Sequence, residues 1–251
     1  MRHGAKKGTF EFGFELSYGS FDTILAALCL SAWDTNVLKT GVTRNSFCIE
    51  RYFADNTTGN YHRLLGSEFN TLKLTASTNG IVKGSIGGIF QDLVIASAAI
   101  ASSTYNDAAT TSPFDSFIAT GSLEEGGSSI AVVSELSLDL SNGLEPFYAM
   151  FGKGLTMRPT VGRSKLTGSL TARFEDETLL EKFLDETESS ITLTLADAAT
   201  NELEISLPRI KYTGGTPDVG GEGPVTIALP FEALYDSDDE SNIVFTRTPA
   251  A

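Results

Sequence analysis

Residues able to do chemistry are few in this chain, and their spacing is poor. There are two histidines, His3 and His62, and neither has an i, i+4 partner or the Cys/His spacing of a zinc site. A Ser-His-Asp arrangement would have to recruit one of them, and no Gly-x-Ser-x-Gly elbow is present. The Gly-rich stretch from Gly80 to Gly88 lacks the Gly-Lys-Ser/Thr ending of a phosphate loop, because Lys83 precedes Gly84. Its glycines fit bulges or close backbone approach within a strand better. The acidic run Asp236-Ser237-Asp238-Asp239-Glu240 has hard oxygen ligands, but not the internal Gly and closing Glu of an EF-hand, so a solvated hairpin tip is expected there. No pair among the 32 acidic residues is singled out by spacing for glycoside hydrolysis. The expectation is no enzyme, no cofactor and no metal.

The charge pattern says more. With 18 basic residues against 32 acidic the net charge is −14, and the imbalance is concentrated late: 9 against 12 up to residue 129, then 9 against 20. Such a chain does not bind nucleic acid by neutralising phosphates. It can still sit beside DNA if its task is to avoid adhering to it. In Glu135-Leu136-Ser137-Leu138-Asp139-Leu140 and in Leu203-Glu204-Ile205-Ser206-Leu207, apolar and polar residues alternate strictly. One face of each strand then packs on a core while the other offers acid and hydroxyl to water. Glu135, Asp139, Glu202 and Glu204 are the candidates for a wall facing something that must not stick.

The elements that would carry these residues form a mainly β fold. Phe10, Phe12 and Phe14 alternate with Glu11, Gly13 and Glu15, a half-buried strand. A short amphipathic helix follows over residues 20–30 with Ser20 as its cap, and a second over 177–186 with Asp176 as its cap. Further strands are expected at 47–53, 69–75, 81–90, 130–140, 169–174, 191–195, 203–212, 225–229 and 243–246. The polar stretch 102–115 reads as part of a link. Residues 214–224, with five Gly and two Pro, read as irregular.

The order of elements repeats. Gly8 to Glu15 falls beside Gly168 to Glu175, Ser46 to Glu50 beside Ser189 to Leu193, the segment from Tyr61 beside that from Leu203, and Gly80 to Asp92 beside Gly223 to Asp236. An internal duplication of one β-sandwich unit is therefore expected, with a first unit over 1–129 and a second over 130–251. The first match is displaced because the first unit has a longer segment after its helix. The second unit also has a strand-like run over 134–140 that the first lacks. The first unit is accordingly expected to be short at its start and to leave an open position in its sheet.

Two cysteines, Cys29 and Cys48, make no disulfide framework, and Cys29 shares an apolar helical stretch with Leu25 and Leu28. The longest apolar run, from Leu93 to Ala101, is too short to span a bilayer.

An ordered series of segments resembles the major tail tube proteins of long-tailed, siphovirus-type bacteriophages. It comprises Phe14-Glu15-Leu16-Ser17-Tyr18-Gly19-Ser20-Phe21-Asp22, Phe47-Cys48-Ile49-Glu50-Arg51, Tyr61-His62-Arg63 and Gly162-Arg163-Ser164. Leu207 to Gly215 and Leu229 to Asp236 complete it. The likeness runs from Arg2 to the end of the chain, and members of the family usually begin with several dozen further residues. It implies a duplicated β-sandwich or half-barrel module, each copy with one flanking helix. Such modules self-associate into rings that stack as a conduit for DNA ejection. It also implies tape measure, tail terminator and distal tail proteins as partners, a place in the virion after assembly in the host cytoplasm, and no membrane. The resemblance would make the four carboxylates lumen-facing. A monomeric β-sandwich that binds glycans or decorates a virion is the alternative, and it would expose an aromatic cluster, with the single Trp33 as one candidate.

Overall fold

The computed structural model describes residues 7–78, 80–116, 121–130, 132–148, 150, 157–175, 177–218 and 224–250. The first half comprises β1 (Gly8–Glu15), α1 (Asp22–Leu28), β2 (Val37–Lys39), β3 (Phe47–Tyr52), β4 (Tyr61–Ser77), β5 (Lys83–Phe90) and β6 (Asp92–Ala96). A hairpin, β7 (Ser122–Glu125) and β8 (Ser128–Ser129), comes next, then β9 (Val133–Ser141) and a small separate pair, β10 (Glu145–Phe147) and β11 (Met157–Thr160). The chain continues through β12 (Lys165–Arg173), α2 (Thr178–Leu184), β13 (Glu188–Ala196) and β14 (Glu202–Tyr212). It finishes with β15 (Thr216–Asp218), β16 (Thr226–Ala233) and β17 (Val244–Thr248).

The protein is mainly β, as its alternating sequence requires. Strand β4 is twice as long as its pattern suggests, because it serves two layers. Its residues 68–75 pair with β5 and its residues 71–77 with β9, while 61–67 pair with β3 and 61–65 with β6. One layer runs β1-β5-β4-β9-β12-β16, with β15 on the far side of β16. The other layer contains β3-β4-β6 in the first half, and β7-β13-β14-β17 with β2 in the second. Apolar faces meet between the layers: Leu74, Leu136 and Leu138 of the first enclose a small gap with Leu193 and Ile205 of the second. Phe231, Phe245, Leu166 and Leu170 are fully buried, each worth about 1.5–3 kcal/mol of transfer free energy.

The same pairing order occurs in both halves. β1-β5-β4-β3 in the first matches β12-β16-β14-β13 in the second, and β6 on β4 matches β17 on β14. The match extends to single residues. Lys73 faces Ser85 as Thr216 faces Ala228, a bulge interrupts β3 after Phe47 and β13 after Ser189, and both helices end on a residue at positive φ, Leu30 and Glu186. In pairing terms Gly8 corresponds to Leu166, since these residues face Phe90 and Ala233. The sequence match of Gly8 with Gly168 was therefore two residues out. A two-residue slip keeps every side chain on its face, so alternation alone does not detect it.

Several expectations need correction. Helix α1 starts at Asp22, with Phe21 at the cap position and no side-chain cap bond; the Ser20 hydroxyl instead accepts a hydrogen bond from Ser17 at 2.7 Å. The expected cap Asp176 lies outside the described residues. The stretch 214–224 is not wholly irregular, because β15 forms within it where its backbone can extend the layer beyond β16. The stretch 102–115 is not merely a link. Phe114 is fully buried, its N–H donates to Leu16 O at 2.8 Å and its carbonyl accepts from Val82 N at 2.9 Å, so it plugs the first half's core. The division at residue 129 cuts a continuous hydrogen-bonded sheet: β9 joins β4 to β12, and β7 pairs with β13.

Candidate functional site

The polar face of the first layer presents polar side chains in register across its strands. Register places residues in rows across it, and one row runs Gly13, Ser85, Lys73, Asp139, Thr167, Glu232 and Lys211. Carboxylates on this face are Glu11, Glu15, Glu135, Asp139 and Glu232, and cations in the same rows are Lys73, Lys83, Lys165, Arg173 and Lys211. Lys73 Nζ lies 3.6 Å from Asp139, and Lys165 Nζ lies 3.1 Å from Glu232. Thr71, Thr75, Ser137, Ser169 and Thr171 fill the spaces between. The face is thus hydroxyl-rich and nearly charge-balanced, rather than the acidic wall that the residues of β9 suggested alone.

The four candidate carboxylates do not gather on one surface. Glu135 and Asp139 lie on this polar face. Glu202 and Glu204 alternate with the buried Leu203 and Ile205 on β14, opposite Thr248 and Thr246 of β17. They sit on the far side of the second layer, so the two pairs face opposite ways from the core. The period of two identified the outward residue of each strand but carried no information about which layer the strand joins.

Two buried ion pairs tie peripheral segments to the sheets. Glu68, 3% exposed, receives Arg44 at 2.6 and 2.9 Å and Arg158 at 2.8 Å, which fastens the segment before β3 and strand β11 to β4. Glu125 accepts Lys182 at 2.6 Å, Ser189 at 2.7 Å and the Tyr212 hydroxyl at 3.1 Å. Burial, then the neighbouring Glu125 charge, pushes the Tyr212 phenol well above its ordinary value. On β3, the Tyr105 hydroxyl and then Arg63 hold the Glu50 carboxyl below its usual range.

The seam between the halves went unread in the sequence. Strand β2 adds to the edge of β17, Thr40 bonds the Ser241 hydroxyl through N–H at 3.0 Å and hydroxyl at 2.9 Å, and Arg247 pairs with Asp22. Arg247 also lies 4.1 Å from the Trp33 ring centre and donates to Thr35 O at 2.8 Å. The indole N–H of Trp33 donates to Asp22 O at 2.9 Å. Trp33 is therefore engaged inside the protein and is no exposed sugar platform. A three-residue strand set among Asp34, Thr35 and Asn36 gives no periodicity to read.

The remaining candidates do not come together as a site among the described residues. His62 stacks on Phe53 at 4.7 Å, and His3 lies outside the described residues. Burial pushes the Cys29 thiol up to about 12, while Cys48 is exposed. Asp236 accepts the N–H groups of Asp238 and Asp239 at 2.9 and 3.0 Å, closing the acidic hairpin on itself. Among the described residues no group of three or more His, Cys, Asp or Glu is placed to hold a metal, and no helix is long and apolar enough to cross a membrane.

The described residues thus form a two-layer β protein with a broad polar face and a free strand edge. A family model described as phage tail tube protein matches residues 1–233, and the chain belongs to that family. It is a structural protein of the phage tail, a virion component and not an enzyme. Comparison with curated proteins gives no match.

Proposed function

We propose that copies of this chain join edge to edge into rings that stack around a DNA channel, with the polar face of the first layer lining the lumen. The observation that carries this reading is the layer β1-β5-β4-β9-β12-β16-β15, whose two ends are unfinished. Among the described residues β1 pairs only with β5, and β15 only with β16. Free edges invite another strand, and a head-to-tail contact that closes gives a ring. The free side of β1 corresponds to the side of β12 on which β9 lies.

The recurring pairing order supports two copies of one module within the chain. Three chains then supply six modules, and pseudo-six-fold rings follow; six chains, with one module inside and one outside, is the competing arrangement. Glu135 and Asp139 face the lumen in this reading, and Glu202 and Glu204 face outward. Because Lys73 and Lys165 are already paired with acids, the wall offers phosphates little net attraction, and the genome passes without being held. Tape measure, terminator and distal tail proteins would meet the tube, which assembles in the host cytoplasm. Electron microscopy of the concentrated protein tests this. Rings or tubes with six lobes and three-fold averages are expected, six-chain rings would replace the stoichiometry, and featureless monomers at every concentration would refute the tube.

A further inference from the structure

The seam within one chain has a counterpart on the outside. Phe245 faces Ile205 on β14 as Ile95 faces His62 on β4, so Ile95 is the first half's counterpart of Phe245. Phe245 is 0% exposed and Ile95 60%; one step along each strand pair, Ile243 is 1% exposed and Leu93 43%. The difference lies in what covers them. In the second half the segment that follows α1 supplies β2, whose Leu38 lies opposite Phe245 on the edge of β17, and Arg247 of β17 pairs with Asp22 of α1; Leu28 and Leu38 are both buried. Over β6 no such segment lies among the described residues.

The helices are mismatched in the opposite sense. Helix α1 closes with Leu30 N on Ala27 O and Ser31 N on Ala26 O. Helix α2 closes identically, with Glu186 N on Phe183 O and Thr187 N on Lys182 O. This alignment makes Leu184 the counterpart of Leu28. Leu28 is 1% exposed and Leu184 66%, and no residue of α2 is buried although three of α1 are. The chain therefore holds one satisfied helix-on-sheet seam and the two unsatisfied halves of another. The unsatisfied halves belong to opposite ends of the first layer: β6 to the half that ends on β1, α2 to the half that ends on β15.

We propose that α2 of one copy packs through Leu184 and its neighbours on the β6 face of the next copy, at Leu93 and Ile95, repeating between chains the seam that α1 makes within one. The occupant is a second copy of this chain, because the covered counterpart of each exposed surface is another part of the same chain. The proposal rests on the ring reading. It also sets a difference between the two seams. Helix α2 runs into β13 directly, with no counterpart of β2, and Ser97 stands where Arg247 does. The seam between copies lacks strand addition and the Arg–Asp pair, so it is the weaker of the two and assembly responds to concentration.

The test places Ile95→Cys and Leu184→Cys in a Cys48→Ser background. Mild oxidation of the assembled protein should give covalent ladders with the double variant and none with either single variant. Independently, Leu184→Glu should raise the concentration needed for assembly about tenfold, the scale of one lost buried leucine. It should leave the melting temperature of the dilute protein unchanged, since the residue is exposed there. Rings that form by microscopy without ladders, and unaffected by Leu184→Glu, would overturn this seam while leaving the tube intact. The absence of rings under all conditions would overturn both.

Discussion

Replacing Gly168 by Ala tests one of the tightest packing positions in the first layer. A Cβ built there meets Ser137 O and Phe231 Cζ, each at 2.4 Å. Neither can simply withdraw: Ser137 lies on β9, register-paired with Ser169, and Phe231 is buried across the strand pair. Either β9 must part from β12 or the ring must leave its site. Overpacking of this kind costs about 1–3 kcal/mol. Because one obstacle is backbone, the upper half of that range is expected, a fall in melting temperature of about 5–10 °C for a chain of this size. Gly13→Ala in the same layer is the control, since its nearest atom is Gly84 O at 3.8 Å, an ordinary contact. Its effect should lie within about 0.5 kcal/mol. Calorimetry on dilute protein measures both. Equal shifts for the two variants would refute the claim that close approach, rather than the loss of a glycine, sets the cost.

Glu68→Ala leaves the partly exposed Arg44 and Arg158 without their shared carboxylate and should cost about 1–2 kcal/mol, with early proteolytic cutting near residues 44 and 158, whereas a silent variant would mean the pair is ornamental. In the folded protein at pH 8 a thiol reagent should titrate one cysteine, Cys48, and in denaturant two; fast modification of both in the native state would contradict the burial of Cys29. Glu135→Lys with Asp139→Lys should leave rings intact but make DNA adhere in a salt-sensitive way, and DNA that remains indifferent would count against the lumen assignment.

The alternation of β1, β9, β12 and β14 was legible because each has one face on the core, and the period of two survives in the sequence. The helices were legible for the same reason, to within a few residues at each end. What could not be read was partnership. A strand does not record whether it lies in one layer or spans two, which is how β4 was read at half its length. Nor does it record which surface its polar side joins, which is why Glu204 was grouped with Asp139. The repeat was visible as an order of elements, but its register was blurred by a compensating exchange. Phe10 faces Gly88 in the first half, and Gly168 faces Phe231 in the second. Each pair joins an aromatic ring to a glycine, and the ring has changed strands. Read along the chain this is two mismatches; across the sheet it is one preserved contact.

If the two halves are copies of one unit, as proposed, the same comparison accounts for one seam held within the chain and another offered to a neighbour. After its helix the first half carries an extra segment, residues 32–46, between the helix end and β3, while the second half passes from Glu186 to Glu188 at once. That segment supplies β2, Trp33 and Thr40, and with them the strand pairing, the Arg247 stack and the Ser241 bonds of the inner seam, to which Asp22 of α1 adds its pair with Arg247. Directional contacts fix geometry, and the apolar burial of Phe245 beneath them adds most of the free energy. Removing the segment from the unit leaves the apolar half alone, as at α2 and β6. A chain with both seams identical would have equal reason to pair with itself or with a neighbour. In the proposed ring, the reinforced seam would hold the two halves together and leave the weaker apolar contact for the copy alongside.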